Sequence, residues 1–245
     1  MKYLQRFIMT KNIALRSINR FLKPFRLRIQ RINSGLLLKE ALFRKMEIKF
    51  IQIGANDGIR FDDLYSFVTD GQWTGLVIEP LPSHFKKLCQ NYKHHPNVKP
   101  LNIGIHPLLK EAKIYSVLES ALNKYPKWVD GCTSMNRNHL IERGVSNDDI
   151  LESIVMCDPL MSVVEKYEMH DIDYLQIDTE GYDARILKSI DFTKLKPAVI
   201  KFEWMHLSQI EQNEIKTLLH SYGYTMEIDH SGSDCYAWLR NKVTI

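Results

Sequence analysis

Acids and a histidine follow two apolar runs in the second half of the chain. Asp178 and Glu180 stand in DYLQIDTEGYD, and Glu203 and His206 stand in KFEWMH. A histidine titrates near neutral pH and can take a proton from a hydroxyl group, while carboxylates can orient a polar acceptor. The predicted catalytic residues are therefore Asp178, Glu180, Glu203 and His206, with His206 as the first candidate for the general base.

Structural interpretations of the same residues stay open. Acids near a helix N-terminus are favoured by capping and by the helix dipole, and His206 could be a surface histidine at the start of a helix. Asp178 and Glu180 could also share a divalent cation. Because the sequence has no histidine–carboxylate cluster with the spacing of metal ligands, no metal site is predicted.

A glycine turn interrupts the apolar run FIQIGANDG. Glycines let a ligand approach the backbone closely, and the N-terminus of a following helix offers free N–H groups to an anion. The spacing is G-x-x-x-G and not G-x-G-x-x-G, which disfavours a dinucleotide pyrophosphate. We expect residues 54–58 to pass beneath a bound ligand.

Glu79 ends the next apolar run, GLVIEPLP. Ligands of open parallel sheets bind beyond the carboxyl ends of the strands, and a carboxylate there can accept both hydroxyls of an adenosine ribose. Together with the glycine turn, Glu79 favours a nucleoside-containing cofactor. The two features do not separate S-adenosylmethionine from NAD.

A sheet is needed to position these residues, and the hydrophobic pattern of the sequence predicts one. Strands are predicted at 49–53, 75–79, 98–103, 173–177 and 198–203, and helices around 61–68, 85–92, 160–167 and 215–222. Strand–helix alternation implies a mostly parallel sheet with helices on both faces. Two final runs, 224–228 and 235–239, flank a hairpin loop, so the last strand should be antiparallel, which is the plan of Rossmann-like methyltransferases.

The stretch between residues 104 and 152 is less regular. Extra strands are predicted at 112–117 and 153–157, and residues 118–145 are predicted to be a substrate lid, since long irregular insertions in compact domains are usually functional or disordered. The residues that favour a lid are Tyr125, Trp128, Ser134, Asn136 and His139. Ser134 and Trp204 are predicted to contact the substrate.

Charge divides the 245-residue chain into two parts. Residues 1–33 carry nine basic residues and no acid, against a total of +4, so the rest of the chain is net −5. We expect a basic amphipathic extension over 1–46 and one catalytic domain over 47–245. Residues 1–33 could contact an anionic membrane surface or polymer, pack on the domain as a solvated helix, form a partly disordered extension, or act as a targeting peptide.

Cysteine usage and hydropathy bear on the compartment. The four cysteines are widely spaced without a C-x-x-C pair, which argues against a zinc site or a disulfide framework. No apolar run approaches the ~20 residues of a membrane span, and no Sec-type signal peptide is predicted. These features predict a cytoplasmic protein, and the basic segment adds a peripheral position at the inner face of the membrane as an alternative expectation.

Five motifs in this order and spacing resemble the FkbM-type family of S-adenosylmethionine-dependent methyltransferases: FIQIGANDG, GLVIEPLP, LNIGI, DYLQIDTEGYD and VIKFEW. The resemblance covers roughly residues 50–239. It implies a class I Rossmann-like fold with a mostly parallel seven-stranded sheet and an antiparallel C-terminal strand, S-adenosylmethionine as cofactor, and methylation of hydroxyls on sugars or natural products. The cofactor residues it implies are Gly54, Ala55, Asn56, Asp57, Gly58, Glu79, Pro80, Asn102, Ile103 and Asp178.

One position departs from the pattern. Many class I methyltransferases carry an acid where this chain has Gln52, so the contact with the methionine amino group is expected from Asp57 or Asp178.

The expected acceptor is a sugar or glycan, and other functions remain open. The basic segment permits a nucleic-acid methyltransferase. No specific nucleic acid is expected, however, because the domain is acidic and has no N-P-P-Y-type motif. The missing G-x-G-x-x-G counts against an NAD-dependent oxidoreductase. A cofactor-binding module without catalysis is the remaining alternative.

Overall fold

The computed structural model describes residues 47–60, 62 and 64–243. The predicted basic extension over 1–46 lies outside the described residues, as does Phe61 of the predicted helix at 61–68. No helix in the described part of the chain is long and apolar enough to cross a membrane.

Ten strands in the described part of the chain form two sheets. They are β1 Lys49–Ile53, β2 Thr74–Ile78, β3 Val98–Leu101, β4 Gly104–Ile105, β5 Glu111–Val117, β6 Ile150–Asp158, β7 Tyr174–Ile177, β8 Val199–Glu203, β9 Thr225–Ile228 and β10 Asp234–Trp238. Seven of them build the central sheet in the order β3-β2-β1-β7-β8-β10-β9. Strands β1, β2, β3, β7 and β8 pair in parallel, and β10 is antiparallel to both β8 and β9. The predicted sheet, including its antiparallel last strand, is confirmed.

Helices cover both faces of this sheet. The six α-helices of the described residues are α1 Tyr65–Asp70, α2 Pro82–Asn91, α3 Arg137–Glu142, α4 Leu160–Lys166, α5 Asp183–Lys188 and α6 Gln209–Ser221. Alternate residues of β1 point to opposite faces. Ile51 and Ile53 pack with α4, α5 and α6, whereas Phe50 packs with α1 and α2. The double coverage buries both faces and leaves the carboxyl ends of the parallel strands to form a site.

The segment expected to be irregular is a compact unit with its own core. Strands β4, β6 and β5 form a three-stranded sheet, in which β5 and β6 are antiparallel. The 3₁₀ helices Glu119–Lys124 and Lys127–Gly131 and helix α3 follow β5. A separate cluster of buried side chains, including Val129 and Leu140, holds these elements together. Residues 118–145 are therefore more regular than the sequence suggested, because their short helices pack on one another.

Candidate active site

A cavity of about 480 Å³ opens beyond the carboxyl ends of β1, β2, β7 and β8, and the predicted insertion forms part of its wall. That volume suits a cofactor or a small ligand. Many of the residues predicted from sequence lie in its lining: Gly54, Ala55, Asn56, Glu79, Pro80, Ile103, Asp178, Glu180, Glu203 and His206. The fold thus brings together groups that are dispersed along the chain.

The glycine turn is shaped by close contact between β1 and β7. Gly54 has a φ of +79°, and a Cβ atom on it would lie 1.7 Å from the backbone oxygen of Asp178. Only glycine fits there. The amides of Gly54 and Ala55 both donate to the carbonyl of Ile78, at 2.9 and 3.0 Å. These two amides are thus engaged within the sheet, and α1 begins only at Tyr65, so its N-terminus does not follow the turn directly.

Glu79 is buried with only 4% of its surface exposed. One carboxylate oxygen accepts the amide of Asn56 and the other accepts the amide of Leu81, each at 2.9 Å. Burial raises the pKa of Glu79 to about 7, against the opposing effect of these two hydrogen bonds. Asn102 lies outside the lining and instead donates its amide to the carbonyls of Glu79 and Pro80, so it braces the segment that carries the carboxylate.

Two glutamines that sequence reasoning did not assign to the site face the same cavity. Gln52 on β1 and Gln176 on β7 are direct neighbours across the sheet, and both are buried. Their side-chain oxygens have no hydrogen-bond partner among the described residues. A buried amide oxygen without a donor is costly, so both oxygens are suited to a ligand that brings N–H groups. The signal in the sequence for this pair was Gln52, which stands where many class I methyltransferases carry an acid.

Asp57 and Gly58 lie outside the cavity lining. The Asp57 carboxylate accepts the amides of Ile59 and Arg60 at 3.0 and 2.8 Å and also pairs with the Arg60 guanidinium. That guanidinium reaches on to Asp130 in the insertion. Asp57 thus stabilises the turn and, through Arg60, attaches the insertion to the turn. Its carboxylate is therefore no longer expected to contact a methionine amino group.

Beside the turn, a histidine–carboxylate cluster forms around Glu180. The Glu180 carboxylate lies 2.7 Å from Nε2 of His139, 3.1 Å from Nη2 of Arg143 and 3.7 Å from Nε2 of His206. His206 is also 3.3 Å from Glu203, and it contacts the Arg143 guanidinium. Sequence reasoning placed His139 in the lid and did not find Arg143, because α3 lies far from the strand ends in the sequence.

The carboxyl groups of the cluster differ in their electrostatics. Burial raises the pKa of Glu203 to about 9, and the neighbouring charges of Asp183 and Glu180 add to this. Burial likewise raises the pKa of Asp178 well above its ordinary value, with Glu203 as the first neighbouring contributor. For Glu180, burial is outweighed by the hydrogen bond from His139 and the charge of Arg143, so its pKa is lowered. Glu180 is therefore the carboxylate that carries a negative charge.

His206 has a depressed pKa. Burial lowers the pKa of its imidazole first, and the positive charge of Arg143 lowers it further. The ring is accordingly neutral near neutral pH and holds a lone pair that can bind a proton or another electrophile.

The two predicted substrate residues lie behind the cavity wall. Ser134 is buried, and its hydroxyl donates to the carbonyl of Glu180 at 2.8 Å, which ties the insertion to the loop after β7. Trp204 is 6% exposed and packs in the core against Phe202. Trp128, in contrast, lines the cavity and is 43% exposed. The aromatic side chain at the cavity is thus Trp128, whereas the apolar environment after β8 draws Trp204 inward.

Comparison with known proteins gives one family match. The model of the methyltransferase FkbM domain matches residues 52–226. No curated protein matches the sequence.

Several solved structures are similar in part. An FkbM methyltransferase from Methylobacillus flagellatus KT is 15% identical, with 82% of this chain and 48% of that chain covered and a TM-score of 0.48. A precorrin-6y C5,15-methyltransferase from Geobacter metallireducens GS-15 is 13% identical over 83% of this chain and 87% of that chain, with a TM-score of 0.40. The METTL16 methyltransferase domain is 12% identical, with 94% of this chain and 70% of that chain covered and a TM-score of 0.46.

Proposed function

Because the chain belongs to the FkbM family of S-adenosylmethionine-dependent methyltransferases, we propose that it methylates a hydroxyl oxygen of a sugar or glycan. The observation that carries this proposal is the cluster of Glu180, Glu203 and His206 in the wall of the cavity that also contains the glycine turn. A polyhydroxylated acceptor offers several O–H donors, and this cluster offers several oxygen and nitrogen acceptors within a few ångströms of one another.

The residues around the turn fit the methyl donor. The missing Cβ of Gly54 lets the turn pack directly against the backbone of Asp178 at the floor of the cavity. The two unpartnered oxygens of Gln52 and Gln176 are suited to the N–H groups of the donor's methionine end. Glu79 would accept the ribose hydroxyls, and Asp178 stands beside the turn as a further acceptor. When bound, S-adenosylmethionine supplies a methyl group already activated on its sulfonium, so the protein mainly has to position an oxygen nucleophile.

The acceptor side requires a group that handles the hydroxyl proton. Neutral His206 can accept it, since its pKa lies below the ordinary histidine value. Glu180 is held by His139 and Arg143 and can orient a second hydroxyl. Trp128 presents an exposed ring in the same cavity, which suits the apolar face of a sugar.

Label transfer from S-adenosylmethionine carrying a radioactive methyl group tests this proposal. The purified protein is incubated with separate panels of oligosaccharides, lipid-linked sugars and RNA. We expect label in a sugar fraction that is stable to base, as a methyl ether is, and lost in Glu79→Ala and His206→Ala. Label in RNA with none in any sugar would contradict the proposal.

We propose further that residues 1–33 hold the enzyme at an anionic surface, since their nine basic residues have no acidic counterpart in the segment. Co-sedimentation with vesicles containing anionic lipid, compared with neutral vesicles and with a chain that begins at residue 47, tests this. Equal sedimentation of the two chains would contradict it.

A further inference from the structure

Three potential metal ligands converge from three separate segments. His139 lies on α3, Glu180 follows β7, and His206 follows β8. Nε2 of His139 and Nε2 of His206 lie 2.7 and 3.7 Å from the same carboxylate oxygen of Glu180, and all three atoms are within 4.8 Å of one another. An ion with bonds of about 2.0–2.2 Å has neighbouring ligand atoms roughly 3 Å apart. The His139–Glu180 pair already stands near that spacing, and His206 would have to move slightly closer to Glu180.

Two neighbours compete for Nε2 of His139. Its Nε2 atom lies 2.7 Å from the Glu180 carboxylate, which needs a proton donor, and 2.9 Å from Nε of Arg143, which needs an acceptor. One ring nitrogen carries either a proton or a lone pair, so it can satisfy only one of these neighbours. A cation placed between them would be bound by the lone pairs of both His139 and Glu180.

The central ligand is held in place before any ion arrives. Glu180 has a φ of 51°, a conformation that non-glycine residues adopt rarely and that concentrates at functional sites. Its carbonyl accepts the Ser134 hydroxyl at 2.8 Å, and its amide donates to Glu203 at 3.0 Å. Ligands fixed by such neighbours bind metals with less loss of side-chain freedom.

We propose that His139, Glu180 and His206 bind a divalent first-row transition metal. Two imidazole nitrogens and one carboxylate oxygen suit manganese, iron, cobalt or zinc better than magnesium, which prefers oxygen ligands only. Glu180 and His206 line the cavity, so the remaining coordination positions face the space left for the acceptor. The role we assign to the ion, holding the acceptor oxygen and making its hydroxyl more acidic, rests on the proposed function; the metal site itself does not. Because Nε2 of His206 cannot bind the ion and a proton at once, with the ion bound the hydroxyl proton would pass to water and not to His206.

The Arg143 guanidinium lies among the three ligands, so it must move before an ion can bind. Its guanidinium contacts all three ligands, with Nη2 3.1 Å from Glu180. The guanidinium carbon is also 5.6 Å from the centre of the Trp128 ring. It can therefore withdraw onto the indole face, where a cation–π contact retains it. An uncharged side chain at position 143 would remove the competing cation.

Titration of tag-free, metal-stripped protein with Co²⁺ tests the site, since Co²⁺ gives visible absorption bands that report its ligands. We expect one equivalent bound by wild-type protein, at least ~100-fold weaker binding in His139→Ala and His206→Ala, and tighter binding in Arg143→Met, by about tenfold. His94→Ala, at an exposed histidine away from the cavity, is the matched control and should bind as wild type does. Circular dichroism confirms that each variant is folded.

The proposal is overturned if neither wild type nor Arg143→Met binds one equivalent, or if folded His139→Ala and His206→Ala bind as tightly as wild type. Calorimetry with S-adenosylhomocysteine on the same metal-stripped samples separates this result from the methyl-donor site. Binding of S-adenosylhomocysteine without any binding of Co²⁺ rejects the metal site alone.

Discussion

The buried carboxyl group of Glu79 makes the stability of the protein depend on pH in a direction that can be worked out. Its pKa rises from the ordinary value of 4.5 to about 7 in the folded protein, chiefly because of burial. Below pH 4.5 the carboxyl group is protonated in both states. As the pH rises from 4.5 to 7, the unfolded chain loses this proton first, so the folded state loses stability.

The magnitude follows from the two pKa values. Each pH unit between them corresponds to about 1.4 kcal/mol, which gives a loss of about 3 kcal/mol in the free energy of unfolding once the pH exceeds 7. Glu79→Gln cannot ionise and approximates the protonated form. Between pH 5 and pH 8, the free energy of unfolding of the wild type should therefore fall by about 2–3 kcal/mol relative to that of Glu79→Gln.

Urea unfolding of the donor-free protein at a series of pH values measures this difference. Other buried carboxyl groups, such as Asp178 and Glu203, contribute equally to both proteins and cancel in the comparison. Glu119→Gln, at an exposed glutamate, is the control and should follow wild type at every pH. If Glu79→Gln and wild type gave parallel curves, the reasoning about burial would be refuted.

Two further predictions concern the turn and the histidine cluster. Gly54→Ala should destabilise the fold by about 3 kcal/mol or more and abolish S-adenosylhomocysteine binding, because its Cβ would collide with the Asp178 carbonyl. Gly144→Ala, with a similar φ of +84° but open space around it, should cost only about 1–2 kcal/mol in urea unfolding; equal losses would contradict the steric argument. NMR titration of the histidine rings in metal-free protein should give His206 a pKa below the ordinary value of about 6.5, and Arg143→Met should raise it. An unchanged His206 pKa in that variant would show that Arg143 does not set it.

The central sheet was predictable because each parallel strand is a short apolar run with a clear end. Residues 49–53 match β1 as predicted, and the terminal hairpin loop reveals the antiparallel β10. The same regularity placed Gly54, Glu79 and Asp178 at one edge of the sheet, since the carboxyl ends of parallel strands meet there.

The insertion and the acceptor side were predictable only in part. Helix α3 spans six residues, too few for a hydrophobic period to identify it, so the position of His139 could not be derived. Its contact with Glu180 joins residues 41 apart in the chain, and it depends on how the insertion packs. Trp204 was misplaced because its position after a strand resembles that of a rim residue, whereas its side chain packs against Phe202.

The most direct test of methyl-donor binding in this cavity is calorimetric titration with S-adenosylhomocysteine and, separately, with NAD. We predict saturable binding of S-adenosylhomocysteine only, weakened at least about tenfold in Glu79→Ala by loss of the buried carboxylate. Binding of NAD in its place, or of neither compound, would contradict the account.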